Sequence, residues 1–108
     1  MANPQRGEIE VNIAGKPYTL CLTLGALAEL EHAFASESLI QVIERFQTGN
    51  VRAGDLIKIL KAGLKGGGHD ISEEDVAHMK FEGGLEATIA IVAQLLNATF
   101  AVGNEQDT

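Results

Sequence analysis

The sequence is poor in the residues from which most binding and catalytic sites are built. It has one cysteine, no tryptophan, one tyrosine and four phenylalanines among 108 residues. A lone Cys21 cannot close an internal bridge, which excludes a disulfide scaffold. So few rings supply little for stacking on bases or sugars. Positive charge is scarce too, with 8 Lys and Arg against 15 Asp and Glu, a net charge of −7. Such a surface repels phosphate backbones and anionic headgroups, so neither nucleic acid nor a membrane surface is expected as a partner.

What is present suits one ordinary domain spanning residues 1–108. Apolar types make up 45% of the chain, and at this length a compact fold hides roughly 60 to 70% of the unfolded surface, enough for a core without metals. The segment from Met1 to Gly7 is polar and has no apolar stretch of a secretory signal, so the expected compartment is the cytoplasm. Leu85 to Val102 approaches the roughly 20 residues needed to span a bilayer. Glu86, Gln94 and Asn97 interrupt it, basic flanks are missing, and the tail from Gly103 to Thr108 is acidic, so no membrane span is expected.

Ile9, Val11 and Ile13 alternate with Glu8, Glu10 and Asn12, and Tyr18, Leu20 and Leu22 alternate with Thr19, Cys21 and Thr23. This period of two predicts a pair of strands, joined by a turn across Ala14, Gly15, Lys16 and Pro17, as an antiparallel hairpin over residues 7–24. A lone hairpin is marginal in water, so helices must cover its apolar face. The helical period begins at Thr23, a suitable N-cap. It predicts helices at Leu24 to Ala35, Ser38 to Gln47, Asp55 to Lys65, Ser72 to Lys80 and Leu85 to Ala101. The expected fold is α+β, mostly helical: a β-hairpin packed on four to five short helices, with a helical part over 24–101 and flexible tails at 1–6 and 103–108.

In the third helix Leu56, Ile57, Ile59, Leu60 and Leu64 share one arc, and Lys58, Lys61 and Lys65 the opposite one. That lysine stripe reads as a solvated, secondary charged face. The last helix carries a stripe of Leu85, Ile89, Val92, Leu96 and Phe100, yet Ala87, Ala90, Ala93 and Ala98 occupy much of its other side. A helix so apolar all round is either central to the bundle or presents a surface to a partner.

Reactive constellations are weak. Gly66, Gly67 and Gly68 follow a helix and lack the strand and Lys-Ser/Thr of a phosphate loop, so they read as a helix stop. His69, Asp70, Glu74 and His78 could in principle hold a metal, but acids at the start of a helix are expected for dipole reasons alone. Cys21 has no base or helix N-terminus beside it in sequence to activate it. No catalytic, cofactor-binding or metal-binding residues are therefore assigned, no small-molecule substrate is expected, and a small metal-binding protein remains only as an alternative.

Several motifs occur in a fixed order. They are the hairpin leading into Thr23-Leu24-Gly25-Ala26-Leu27-Ala28-Glu29-Leu30-Glu31, the Asp55-Leu56 helix running into Gly63-Leu64-Lys65-Gly66-Gly67-Gly68-His69, the Glu74-Asp75-Val76 helix, and the Gly83-Gly84 opening of an Ala-rich helix. In that order, from Gly7 to Phe100, the chain resembles the gene transfer agent small tail protein family of alphaproteobacterial phage-like particles, related to the tail assembly chaperones of long-tailed phages. The resemblance implies a non-enzymatic protein, under a family label divided between tail tube protein and tail assembly chaperone. Tube proteins of long-tailed phages are built on broad β-sheets, whereas this sequence has two convincing strands. The expected function is therefore an assembly chaperone binding the tape-measure protein or another tail protein, in the cytoplasm of the producing bacterium. A structural tube component, retained in the particle, is the alternative, and self-association into a homo-oligomer is compatible with either role. The expected partner-binding groove is shared by the first and last helices at Leu27, Leu30, Phe34, Ile91, Leu95 and Phe100.

Overall fold

The computed structural model describes residues 7–35 and 37–105, with side chains to residue 100. Strands β1 (Glu8–Ile13) and β2 (Lys16–Cys21) pair antiparallel, with Ile13 facing Lys16, Val11 facing Tyr18 and Ile9 facing Leu20. The turn is tighter than the sequence cluster suggests. Ala14 and Gly15 alone make it, at φ 55° and 82°. Positive φ at both central residues reverses the chain in a way that matches the right-handed twist of the strands. Lys16 and Pro17 belong to β2. Pro17 faces Asn12, a pair whose backbone groups point away from the partner strand, so its missing N–H removes no ladder bond.

Helix α1 (Leu24–Phe34) starts at Thr23, whose hydroxyl accepts from the Ala26 amide at 3.1 Å. Helix α2 (Leu39–Gln47) starts in a reciprocal cap: the Gln41 amide donates to Ser38 Oγ at 3.2 Å and the Ser38 amide to Gln41 Oε1 at 2.8 Å. Helix α3 (Ala53–Gly66) begins two residues before the expected Asp55, because the Asp55 carboxylate accepts the Arg52 amide at 3.2 Å. Helix α4 (Glu73–Ala77) stops short of Lys80; His78 and Met79 donate to the carbonyls three residues back, which tightens the chain out of the helix. Helix α5 (Gly84–Glu105) runs past the expected Ala101, so residues 103–105 of the expected tail are helical, while 1–6 and 106–108 lie outside the described residues.

Packing is organised by α3, which touches β2, α1, α4 and α5. Ile59, Leu60 and Leu64 of α3, Leu20, Leu30, Val42, Val92 and Leu95 are almost wholly shielded from solvent. Each such side chain contributes roughly 1.5 to 3 kcal/mol on leaving water. The hairpin lies on α3 and α5, and the described residues form a mostly helical α+β fold of one two-stranded sheet and five helices.

The three glycines that end α3 do more than stop it. Gly68, at φ +98°, and the His69 amide, bonded to the Leu64 carbonyl at 2.8 Å, close the helix in a Schellman motif. Gly66 and Gly67 have negative φ and serve another purpose. A Cβ on Gly66 would lie 1.9 Å from the Cys21 carbonyl oxygen, and one on Gly67 would lie 1.7 Å from that of Thr19. The end of α3 thus presses directly on the outer edge of β2, which only glycine permits.

Candidate functional site

Helix α5 is not the central helix of the bundle. It buries Thr88, Val92, Leu95 and Leu96, with Ile89 and Ile91 half-buried, and turns Ala90, Ala93, Gln94, Asn97 and Phe100 outward. The buried face is rotated from the expected stripe, leaving its ends Leu85 and Phe100 at 65% and 43% exposure. The cause is one-sided packing: among the described residues α5 rests mainly on β1, β2 and α3. Buried Thr88 and half-buried Thr99 satisfy their hydroxyls within the helix, on the carbonyls of Gly84 at 3.0 Å and Leu95 at 2.7 Å.

Opposite the open face stands α2. Between them lies a cleft of about 610 Å³, lined by Ile43, Phe46 and Gln47 from α2 and by Ala93, Gln94, Leu96, Asn97 and Phe100 from α5. None of these side chains is charged, in a chain carrying −7. The lining recurs at three- and four-residue intervals on both helices, so the cleft is a trough parallel to helix faces, with three amides as its polar groups. A trough of that shape accommodates an apolar helix with uncharged hydrogen-bonding side chains.

Helix α2 is held by Val42 in the core, by Leu39, Ile43 and Phe46 packed partly buried against that core, and by Arg45, which ties the helix to both of its flanks. Its Nε and Nη2 donate to the two Glu37 carboxylate oxygens at 2.6 and 2.9 Å, and its Nη1 donates to Asp55 Oδ2 at 2.6 Å and to the Asn50 carbonyl at 3.1 Å. Burial pushes the Asp55 carboxyl up, but the hydrogen bonds from Arg45 and from the Arg52 amide outweigh it, and the net shift is downward. Glu37 is lowered chiefly by its Arg45 bonds, and Arg45 is raised by the two carboxylates.

The expected groove residues are divided by the fold. Leu30, Phe34 and Leu95 are core residues, which removes them from any open surface of the folded chain. Leu27 and Ile91 are half-buried, and Phe100 alone of the six lines the cleft. Helix α3, on which α1 and α5 both pack, fills the space where the groove was expected. The trough lies one helix away, between α2 and α5. Its signal in the sequence was the run without charge from Ala87 to Gly103.

A family model described as phage tail tube protein, GTA-gp10, matches residues 6–102. The chain belongs to that family. No curated protein and no solved structure matches it.

Tail proteins of this family have a structural or assembly role, and of the side chains singled out for a possible metal set, Asp70, Glu74 and His78 are exposed while His69 is engaged by the fold. His69 Nε2 accepts the Thr19 amide at 3.3 Å, and its ring meets Tyr18 edge-on with centroids 5.0 Å apart. It is thereby engaged on β2. Among the described residues, no three or more His, Cys, Asp or Glu side chains are grouped to hold a metal ion. Burial, helped by the charge of Glu8, pushes the half-buried Cys21 thiol up, away from the reactive thiolate. Among the same residues, no helix is long and apolar enough to cross a membrane.

The lysine stripe of this tail protein is largely engaged by α1. Lys65 pairs with Glu29 at 2.8 Å, Lys58 lies 5.3 Å from the centre of the Phe34 ring, and Lys61 is half-buried. Lys65 and Lys58 thus join α3 to α1, Lys65 through an exposed ion pair. Arg45, Glu37 and Asp55 had no signal in the sequence, because their contacts span eight and ten residues and join separate elements.

Proposed function

We propose that this chain is a tail assembly chaperone that binds an apolar helical segment of the tape-measure protein while the tail is built. The observation that carries this reading is the uncharged trough between α2 and α5, set in an otherwise acidic molecule. A long apolar helical protein needs cover until tube subunits enclose it. A small domain with a helix-sized trough supplies that cover, and its net charge keeps the complex dispersed. Phe46 and Phe100 are the anchors, and Gln47, Gln94 and Asn97 fix the angle of the bound helix by hydrogen bonding. The complex would form in the cytoplasm of the producing cell.

Co-expression with the tape-measure protein of the same gene cluster tests this reading. The tape-measure chain should become soluble and elute with its chaperone, and mature particles should lack the chaperone. An equally insoluble tape-measure protein with or without this chain overturns the proposal. The family description as a tube protein favours a second reading, retention in the tail. Stoichiometric recovery of the chain from purified particles would establish that reading instead.

A further inference from the structure

The two edges of the hairpin are treated differently. Along β2 the outward groups of Thr19 and the Cys21 carbonyl are covered: the Thr19 amide donates to His69, and Gly66 and Gly67 press on the Cys21 and Thr19 carbonyls. Along β1 the register turns the backbone groups of Glu10 and Asn12 outward, since their pairs with Thr19 and Pro17 are the ones that exchange no ladder bonds. Among the described residues, these N–H and C=O groups make no hydrogen bond, and both residues are exposed. An uncovered strand edge is a template for one more strand.

We propose that the β1 edge at Glu10 and Asn12 docks an extended segment of another protein in which basic and apolar residues alternate. The alternation follows from the pleat. Residues of an added strand that stand opposite Ile9 and Val11, both half-buried, extend the apolar inner face, and those opposite Glu10 stand on the wet face beside Glu8. Apolar groups suit the first set and Lys or Arg the second, because opposite charges across a strand pair attract and like charges repel. The same charges disfavour a second copy of this chain, which would bring another acidic β1 and another net −7 to the edge. This surface shares no residue with the lining of the α2–α5 trough.

Amide NMR on the full chain, titrated with a capped hexapeptide of alternating Lys and Val, tests the docking. The Glu10 and Asn12 amides should shift and gain protection from exchange. Glu10→Lys should weaken binding about fivefold. Glu10→Pro should abolish it without breaking the hairpin, as Pro17 is already tolerated at an outward position of β2. Should that variant not fold, the same peptide N-methylated at alternate residues should fail to bind the unaltered chain. The proposal is overturned if the two amides do not move, if a Glu-Val peptide binds equally well, or if the shifts appear on Ala93 and Asn97. Protection of the same amides in a dimer of the free chain would identify a second copy as the occupant and overturn it as well. None of these results bears on tape-measure binding, which is read from solubility.

Discussion

Arg45 Nη1, in the middle of α2, donates to Asp55 Oδ2 in the first turn of α3 at 2.6 Å. The Asp55 side chain retains 6% of its exposure and that of Arg45 13%, so the pair is shielded enough to matter. Replacing Arg45 by Met should lower stability by about 2 to 4 kcal/mol, because it strands a buried carboxylate. Chemical denaturation measures this, and a loss below about 0.5 kcal/mol would contradict it.

The same pair predicts an acid response. Asp55 and Glu37 titrate lower in the folded chain than in the unfolded one. Their contribution to stability is therefore full above the unfolded carboxylate range, near pH 4, and is lost as pH falls through the folded values. In the Arg45→Met variant Asp55 keeps the Arg52 amide but loses the Arg45 hydrogen bond, so the upward push of burial is less opposed and its carboxyl rises. The variant should therefore recover part of its deficit between pH 7 and pH 4. Melting curves of both proteins across that interval would reveal parallel behaviour if the network were unimportant.

Gly54 in α3 and Gly67 at its C-cap should respond oppositely to alanine. At Gly67 the new methyl group would meet the Thr19 carbonyl, and the strand edge would have to separate from the helix end. Gly54 has nothing within 4 Å of the corresponding position and lies in the first turn of α3. Gly67→Ala should cost about 2 kcal/mol or more through a forced shift, whereas Gly54→Ala should stabilise by about 0.5 to 1 kcal/mol through reduced chain entropy. Thermal unfolding of the two variants distinguishes them by sign.

His69→Phe should keep a ring against Tyr18 while removing the acceptor for the Thr19 amide. The expected loss is about 1 kcal/mol, with faster hydrogen exchange at Thr19 than at its neighbours on the ladder. Unchanged exchange at Thr19 would mean that the imidazole does not protect that edge.

Ala93→Glu places a charge in the trough at an exposed position of α5. It should leave circular dichroism and melting unchanged and abolish solubilisation of the tape-measure protein. An active Ala93→Glu variant would exclude the trough as the binding surface.

How much was legible beforehand follows from the range of each interaction. The hairpin, the start of α1 at Thr23 and of α2 at Ser38, and the stop at Gly68 were readable because a cap or turn is decided within three to five residues. Leu30, Phe34 and Leu95 were recognised as apolar helix positions, but a stripe alone cannot distinguish core from groove. Both demand the same side chains at the same spacing.

Composition determined the acidic, thiol-poor chemistry of this tail protein, and alternation and capping, acting between near neighbours along the backbone, were enough to place the two strands and five helices found among the described residues. Tertiary structure decided which side of α5 remains open, why Gly66 and Gly67 must be glycine, and how Arg45 joins α2 to α3. Those outcomes depend on groups far apart in the chain meeting within a few ångströms, and the order of residues does not specify such meetings until the core has closed.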